Sequence, residues 1–498
     1  MAEQIFLSDS RTAVDRKYVG FTPNGGSIKP VHVAGGVLRS IYGKYNTTMS
    51  IKRLALVSDA KGVVPKGNEL DTIYDSMKER EKIEESVTPN ALESLRNVMQ
   101  RLLSADKGVY VVKGLKDDMI SYTAGSSYFI TRRSMYEDTG EFIGGLIKEY
   151  CPDLANYIKG VLSSANDPIS LLFEPVVEKD MEEFQDVSRH EELPAFQNIN
   201  ENTTWFLQGI KESGLCLLEN FKVHPNTLTQ LRLFNFFCIF HLIRYMAMLE
   251  AFYCGEQIRP ILLDFSGKAP SQSSVARASE MSYTQMHKSI NRFYAWGYSR
   301  WLEENGFDKR GLLECSVPTY KKDKKISSTS KDELETLWSL AKERADENAI
   351  SEDDARLIFG ETMYDMLALE ASSHPVNCLK VLGTSSGILY PPDKLHPNKR
   401  FVPSQDVLEM MLRSCVGADE VLNGKEIRER LWDRFGIIIG GSQFELDKIR
   451  QSGMIMQVDE DALEANFTSF ASALESMDFA EEMADGILQI RLGGLSND

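Results

Sequence analysis

Cysteine and histidine are scarce in this chain, seven of each among 498 residues. The cysteines (Cys151, Cys216, Cys238, Cys254, Cys315, Cys378 and Cys415) are scattered, odd in number and never spaced C-x-x-C. That excludes a zinc knuckle and a disulfide framework and fits a reducing cytosol. The histidines are dispersed as well. His190-Glu191-Glu192 has no second histidine at ligand spacing, so no metal and no cofactor are expected. Positive charge is the minority sign: net charge is −17 and the pI about 5.1. This argues against whole-protein attraction to nucleic acid; any such contact needs a local basic patch. The first residues, MAEQIFLSDSR, lack a basic n-region and a long apolar stretch, so no secretory signal is expected. We find no internal repeat and no low-complexity tract.

What is present is an ordinary folded composition, 42% hydrophobic and 26% charged. The length is too great for one core, and several domains are expected. The fold class expected is mainly α and multi-domain: a helical middle with a winged-helix unit at the C-terminus and, as an even alternative to a generic α+β domain, another at the N-terminus. The divisions expected are 1–166 (α+β), 167–204 (acidic linker), 205–395 (helical core) and 396–498 (winged helix plus terminal helices).

In 1–166, Thr88-Pro89 is a cap and first helical position for a helix to Leu103. Short strands are expected at 109–112, 120–122 and 128–130. Leu228 to Tyr253 is the most apolar stretch and is long enough to span a bilayer. Arg232, Asn235, His241, Arg244 and Glu250 interrupt it, and charges are expensive in lipid. A central core helix is therefore expected, and no membrane association. Pro260 to Phe265 reads as a short strand or extended segment. Ser279 to Trp301 reads as an aromatic-rich helix, and Ser351 as the cap of another.

The organising stretch is Phe401 to Val458. Ser404 caps a helix with Val407, Leu408, Met411, Leu412 and Cys415 on one face. Asn423 caps a second, with Ile427, Leu431, Trp432 and Phe435 inward, and Gly436 ends it. Ile437-Ile438-Ile439 is strand-like, and Gly440-Gly441 closes it. Ser442 and Glu445 have the spacing of a capping box, so a third helix opens there. Met454 to Val458 can then return as a strand, with a further helix carrying Leu463, Phe467, Phe470, Leu474, Met477, Phe479, Met483 and Ile487. Three helices with a two-strand flap make the winged-helix pattern.

Candidate chemistry is thin. Gly383-Thr384-Ser385-Ser386-Gly387 matches G-x-S-x-G, which needs a strand before the serine and a helix after it. Cys378 to Leu382 is the candidate strand, but Pro391-Pro392 is a poor helix start. Gly267-Lys268 lacks the rest of a phosphate loop. Asp264 and Lys268 after an apolar run suit a metal-dependent nuclease, yet that chemistry needs two or three converging carboxylates, and no second one stands at convincing spacing. Tyr283, Trp296 and Trp301 can stack on bases with Arg292 on a phosphate, but aromatics this dense on a helix are more often core. Lys321, Lys322, Lys324 and Lys325, with Lys331, form the strongest local positive field. In the third helix, Gln443 and Lys448 can face base edges and Arg450 a phosphate, while Glu445 and Asp447 oppose such contact.

The C-terminal unit, with LWDRFGIIIGGSQFELDKIRQSG at its centre, resembles the tail of accessory proteins from bacterial multi-gene anti-phage and DNA-modification-linked restriction loci. The resemblance covers about the last fifth of the chain, with an echo from Arg259-Pro260 to Phe265. It implies work in a complex with a helicase, ATPase or nuclease, and carries over no catalytic residue. The function expected is a cytoplasmic, non-enzymatic assembly and DNA-associated subunit of a bacterial defence complex, with other protein subunits and DNA as partners. The alternatives are a metal-dependent nuclease subunit and a winged-helix transcription regulator.

Overall fold

The computed structural model describes residues 4–23, 28–46, 71, 74–75, 78–79, 83–95, 137–164, 171–172, 184–186, 193–197, 199–224, 226–320, 328–347, 349–369, 374–393, 396–453, 458, 460–483 and 486–492. The fold is mainly helical. The first half comprises α1 (Leu7–Val14, continued by a π-helical turn Asp15–Val19), α2 (Pro30–Tyr42), β1 (Lys44–Asn46), α3 (Glu137–Tyr150), α4 (Pro152–Ser164), β2 (Phe184–Asp186), α5 (Pro194–Gln197), α6 (Glu201–Val223) and α7 (Thr227–Cys254). Then follow β3 (Ile261–Leu262), α8 (Ser274–Glu304), α9 (Lys309–Glu314), α10 (Ser328–Ala345), α11 (Glu352–Ala368), α12 (Pro375–Ser385), β4 (Leu389–Tyr390) and β5 (Arg400–Phe401). The last part holds α13 (Gln405–Arg413), β6 (Val421–Asn423), α14 (Gly424–Phe435), β7 (Ile437–Ile438), α15 (Gln443–Gln451), α16 (Glu460–Glu475), β8 (Ala480–Glu482) and β9 (Leu488–Arg491).

Helix α7 is the centre. It is apolar on nearly every side, so no face can be left in water. Asn226 caps it by accepting from Thr229 N at 3.0 Å, and Gly255, at φ 74°, ends it. It is the one described helix long and apolar enough to cross a membrane, but 83% of its most apolar window is buried inside the protein. Helices α2, α3, α6, α8, α12 and α13 pack around it, which makes it a core helix. Its polar interruptions are matched from neighbouring elements. Buried Glu250 accepts from Arg292 Nη2 of α8 at 2.8 Å and lies 3.6 Å from Arg259. His241 Nε2 meets Ser213 Oγ of α6 at 3.1 Å, and burial pushes its pKa well below the ordinary value, keeping it neutral. Arg232 reaches Asp406 and Glu409 on α13 at 3.2 and 3.7 Å.

Residues 89–95 are helical, and Thr88 Oγ1 accepts from Ala91 N at 3.2 Å, as a cap at Thr88 requires. The hairpin segments expected at 109–112, 120–122 and 128–130 lie outside the described residues. Of the acidic stretch 167–204, Leu193, Ala195 and Phe196 are buried, and Asn200 caps α6 through Thr203 N at 2.9 Å. Helix α8 starts at Ser274, capped by Ser273. Tyr283, Phe293, Tyr294 and Tyr298 on it are buried in the core, so they are closed to base stacking.

Among the described residues, strands are few and short. β1 pairs antiparallel with β2, and β4 with β5. β3 pairs in parallel with β7, Ile261 opposite Ile437 and Leu262 opposite Ile438. Asp264 N extends the same line by donating to Phe401 O at 2.8 Å. Segments on either side of residue 395 therefore share strands, and one continuous apolar cluster includes both Ile5 and Leu492.

The π-helical turn after α1 carries a fully buried carboxylate, Asp15. Arg11 Nε lies 3.2 Å from Oδ2, and Tyr294 OH donates to Oδ1 at 2.8 Å. Desolvation outweighs both and raises the Asp15 pKa to about 6. A carboxyl with a raised folded-state pKa holds its proton more readily folded than unfolded. Its contribution to stability is fully present below about pH 4 and is lost as the pH rises through 6. With about 1.4 kcal/mol for each pH unit between the two values, roughly 3 kcal/mol is involved. Relative to Asp15→Asn, the wild type should gain about that much between pH 7 and pH 4 in urea denaturation; a constant difference would contradict the raised value.

Candidate functional site

The C-terminal unit is built from local signals joined by a distant pairing. Asn423 ends β6 and caps α14, its side chain accepting from Lys425 N and Glu426 N while Glu426 accepts from Asn423 N at 2.8 Å. Gly436, at φ 71°, closes α14, and β7 follows directly. After α15 and α16 the chain forms a hairpin, β8 to β9, and β9 pairs on its other edge with β6. The sheet order is thus β6-β9-β8. A strand between the first two helices pairs with the second strand of a terminal hairpin.

Of the returning strand expected over Met454 to Val458, 454–457 lie outside the described residues and Val458 is in no strand. One expectation is corrected: the last helix does not run on to Ile487. It stops at Glu475, where Asp478 takes a left-handed φ of 57° and Phe479 N bonds back to Leu474 O at 2.9 Å. Aspartate tolerates that conformation, so the heptad-like spacing is cut off and Met483 and Ile487 pass into the hairpin.

Between β7 and α15 the loop Ile439-Gly440-Gly441-Ser442 turns four consecutive N–H groups onto two carboxylates. Glu445 Oε1 accepts from Ile439 N at 3.1 Å and Gly440 N at 2.8 Å. Its Oε2 accepts from Ser442 N at 3.3 Å and Ser442 Oγ at 2.9 Å. Glu464 of α16 accepts from Gly441 N at 3.1 Å. Arg428 of α14 bridges both acids, 3.6 Å from Glu445 and 3.1 Å from Glu464, with its guanidinium over the Phe467 ring. Glu445 is therefore a buried structural group and not a surface charge facing a partner. Its capping role was written in the S-x-x-E spacing; the parts of Arg428 and Glu464 were not, because they come from other helices.

Of the residues singled out for nucleic-acid contact, Gln443 and Arg450 are exposed and share Asp447: Gln443 Nε2 donates to its Oδ1 at 2.7 Å, and Arg450 Nη1 lies 3.2 Å away. Lys448 sits over Trp432, 5.2 Å from the ring centroid. Lys321, Lys322, Lys324 and Lys325 lie outside the described residues. Asp264 is buried, with Oδ1 accepting from Ser266 N at 2.9 Å and Oδ2 3.0 Å from Arg400 Nε, whereas Lys268 is exposed. No group of three histidines, cysteines or carboxylates stands close enough to share a metal ion among the described residues. The strand expected over Cys378 to Leu382 is instead the middle of α12. Pro375 opens it at the first turn, and Cys378, Leu379 and Leu382 are buried at helical spacing. A helix before Ser385 excludes a nucleophile elbow.

Lys448 and Trp432 begin a ladder into the core. Trp432 meets Trp205 of α6 at a centroid distance of 6.0 Å, and the Arg244 guanidinium lies 4.2 Å from the Trp205 centroid. Arg244 is fully buried, and among the described residues no carboxylate pairs with it, Nε and Nη2 have no hydrogen-bond partner, and Nη1 reaches Phe206 O only at 3.4 Å. Burial lowers its pKa to about 9. Stacking on two rings offsets part of that desolvation, on the order of 2 kcal/mol. A buried cation so weakly satisfied costs more than an apolar side chain of similar length. Arg244→Met should therefore be neutral or stabilising, by about 1–3 kcal/mol, in urea denaturation; a loss of stability would show that the cation is needed for packing.

Two elements of the unit, α16 and the hairpin, are acidic. Helix α16, which precedes the hairpin, carries Glu460, Asp461, Glu464 and Glu475 and no lysine or arginine. The hairpin adds Glu481 and Glu482, both exposed. No protein-family model matches this chain, and no curated protein sequence matches it.

Proposed function

We propose that the protein is a non-enzymatic assembly subunit of a DNA-directed, multi-protein bacterial defence complex, acting in the cytoplasm. Its C-terminal unit is a winged-helix module in this reading, and its role is to hold partner proteins. The observation that supports the reading is the β6-β9-β8 order, with β6 between α13 and α14 and the hairpin after α16, although α15 and α16 together make one helix more than the three-helix pattern has. The sequence resemblance of this unit to accessory subunits of anti-phage loci supplies the setting. The acidic α16 and hairpin favour protein contact over phosphate contact, since like charge repels the DNA backbone. Gln443, Lys448 and Arg450 on α15 are the residues available to touch DNA that a partner presents. The test is purification of the tagged protein from its native cells after nuclease treatment. Stoichiometric recovery of a helicase, ATPase or nuclease supports the reading; recovery of the protein alone overturns it.

A further inference from the structure

We propose that the seam between α8 and α12 binds a phosphate-sized oxyanion, seated among His287, Lys380 and Thr384. The proposal stands independently of the assembly reading above.

The two helices pack together and run antiparallel. At the start of α12 the His374 ring meets Tyr364 at a centroid distance of 4.9 Å, and Tyr364 OH donates to Asn291 Oδ1 of α8 at 2.9 Å. Past its end, Leu389 pairs with Phe401, whose N–H donates to Ser279 Oγ of α8 at 2.9 Å. The chain from 374 to 385 therefore runs back along α8 from the level of Asn291 to that of Ser279. Tyr283 and His287 stand one turn apart on α8, with ring centroids 4.2 Å apart, and Lys380 and Thr384 stand one turn apart on α12. Tyr283 is 2% exposed and Thr384 8%. Among the described residues, Tyr283 OH, His287 Nε2 and Thr384 Oγ1 are buried with no hydrogen-bond partner. Buried polar groups are nearly always bonded, so three orphans along one seam point to a ligand that bonds them.

The basic groups decide what that ligand is. His374 and Lys399 join His287 and Lys380, and among the described residues none of the four has a carboxylate within ion-pair reach. Lys399 is fully buried, and its Nζ donates to two carbonyls, Pro391 O and Asp393 O, each at 2.5 Å. Burial, with His374 and Lys380 nearby, lowers the His287 pKa to about 3. Burial and Arg11 lower that of His374 to about 4, and burial and Lys380 lower that of Lys399 against an opposing pull from Asp393. Neighbours of the same sign thus add to burial in resisting protonation. This basic cluster runs against the sign of a chain with net charge −17. Water would serve the hydroxyls but leave the positive crowding in place. An oxyanion accepts from Tyr283 OH, Thr384 Oγ1 and the His287 imidazole and offsets the charge of Lys380 at the same time.

The experiment uses the full chain with isotope-labelled histidine in a buffer free of phosphate and sulfate. It is titrated at fixed ionic strength with inorganic phosphate and, separately, with adenosine monophosphate. The His287 resonance, identified by its loss in His287→Gln, should shift saturably with a Kd of about 1 mM or tighter. Lys380→Ala should weaken binding about tenfold or more, and Thr384→Val about threefold or more, both with unchanged thermal unfolding in phosphate-free buffer. A response to inorganic phosphate assigns a free ion, and a response to adenosine monophosphate alone assigns a phosphate ester; either supports the site. No saturable shift with either probe overturns the proposal, and so does wild-type affinity in both variants. An equal weakening by Lys425→Ala, at an exposed position on α14, would mark diffuse attraction to surface charge and overturn it as well.

Discussion

Glu445→Ala is expected to lower the stability of the protein by about 4 kcal/mol in urea denaturation, with the C-terminal unit loosening first. The carboxylate is buried and accepts from Ile439 N, Gly440 N, Ser442 N and Ser442 Oγ, with Arg428 3.6 Å away. Truncation leaves several donors without an acceptor in a place water does not reach, and removes a counter-charge from a half-sequestered arginine. Unmade buried hydrogen bonds cost more than made ones contribute. Glu445→Gln keeps the shape and one acceptor oxygen but turns an amide N–H₂ toward donors, so roughly half the loss is expected. A loss under about 1 kcal/mol for the alanine variant would mean that the loop finds other acceptors.

Gly360→Ala is the second large effect. Helix α11 crosses α8 so closely at this point that a Cβ would stand 2.3 Å from Ala295 O and 3.0 Å from Ser299 N, both backbone atoms. No rotamer change relieves such a contact; two long helices must move apart along a packed seam. The expected cost is about 3 kcal/mol or more. Gly140 faces the same situation where α3 crosses α2, 2.2 Å from Val33 O. Gly160 is the control. It lies within α4 with nothing within 4 Å of its Cβ position, so Gly160→Ala should stabilise by about 0.5–1 kcal/mol through helix propensity alone. If Gly360→Ala and Gly160→Ala behaved alike, the close crossing would be refuted.

These two sites differ in how much of them the sequence disclosed. The Ser442–Glu445 box is a contact between neighbours three positions apart, and any chain with that spacing can form it. The same holds for the caps at Thr88, Ser351 and Asn423, and for the burial of Leu228 to Tyr253, whose composition leaves no wet face. The Gly360 crossing has no sequence signal, because it depends on which backbone passes opposite. Short apolar runs were ambiguous for a related reason: Cys378 to Leu382 reads as a strand in isolation and became helix once Pro375 and the surrounding core selected it.

The amino-acid order alone determined the central apolar helix and the caps at Thr88, Ser351, Asn423 and Ser442, because each depends on composition or spacing within one or two turns. Only the tertiary structure decided that β6 pairs with β9, that Ile261 and Leu262 lie beside Ile437 and Ile438, and that Arg428 and Glu464 close the loop before α15. Such pairings join residues far apart in the chain, and strand register, set by the burial of Leu422 and Ile490, chooses the face each side chain takes.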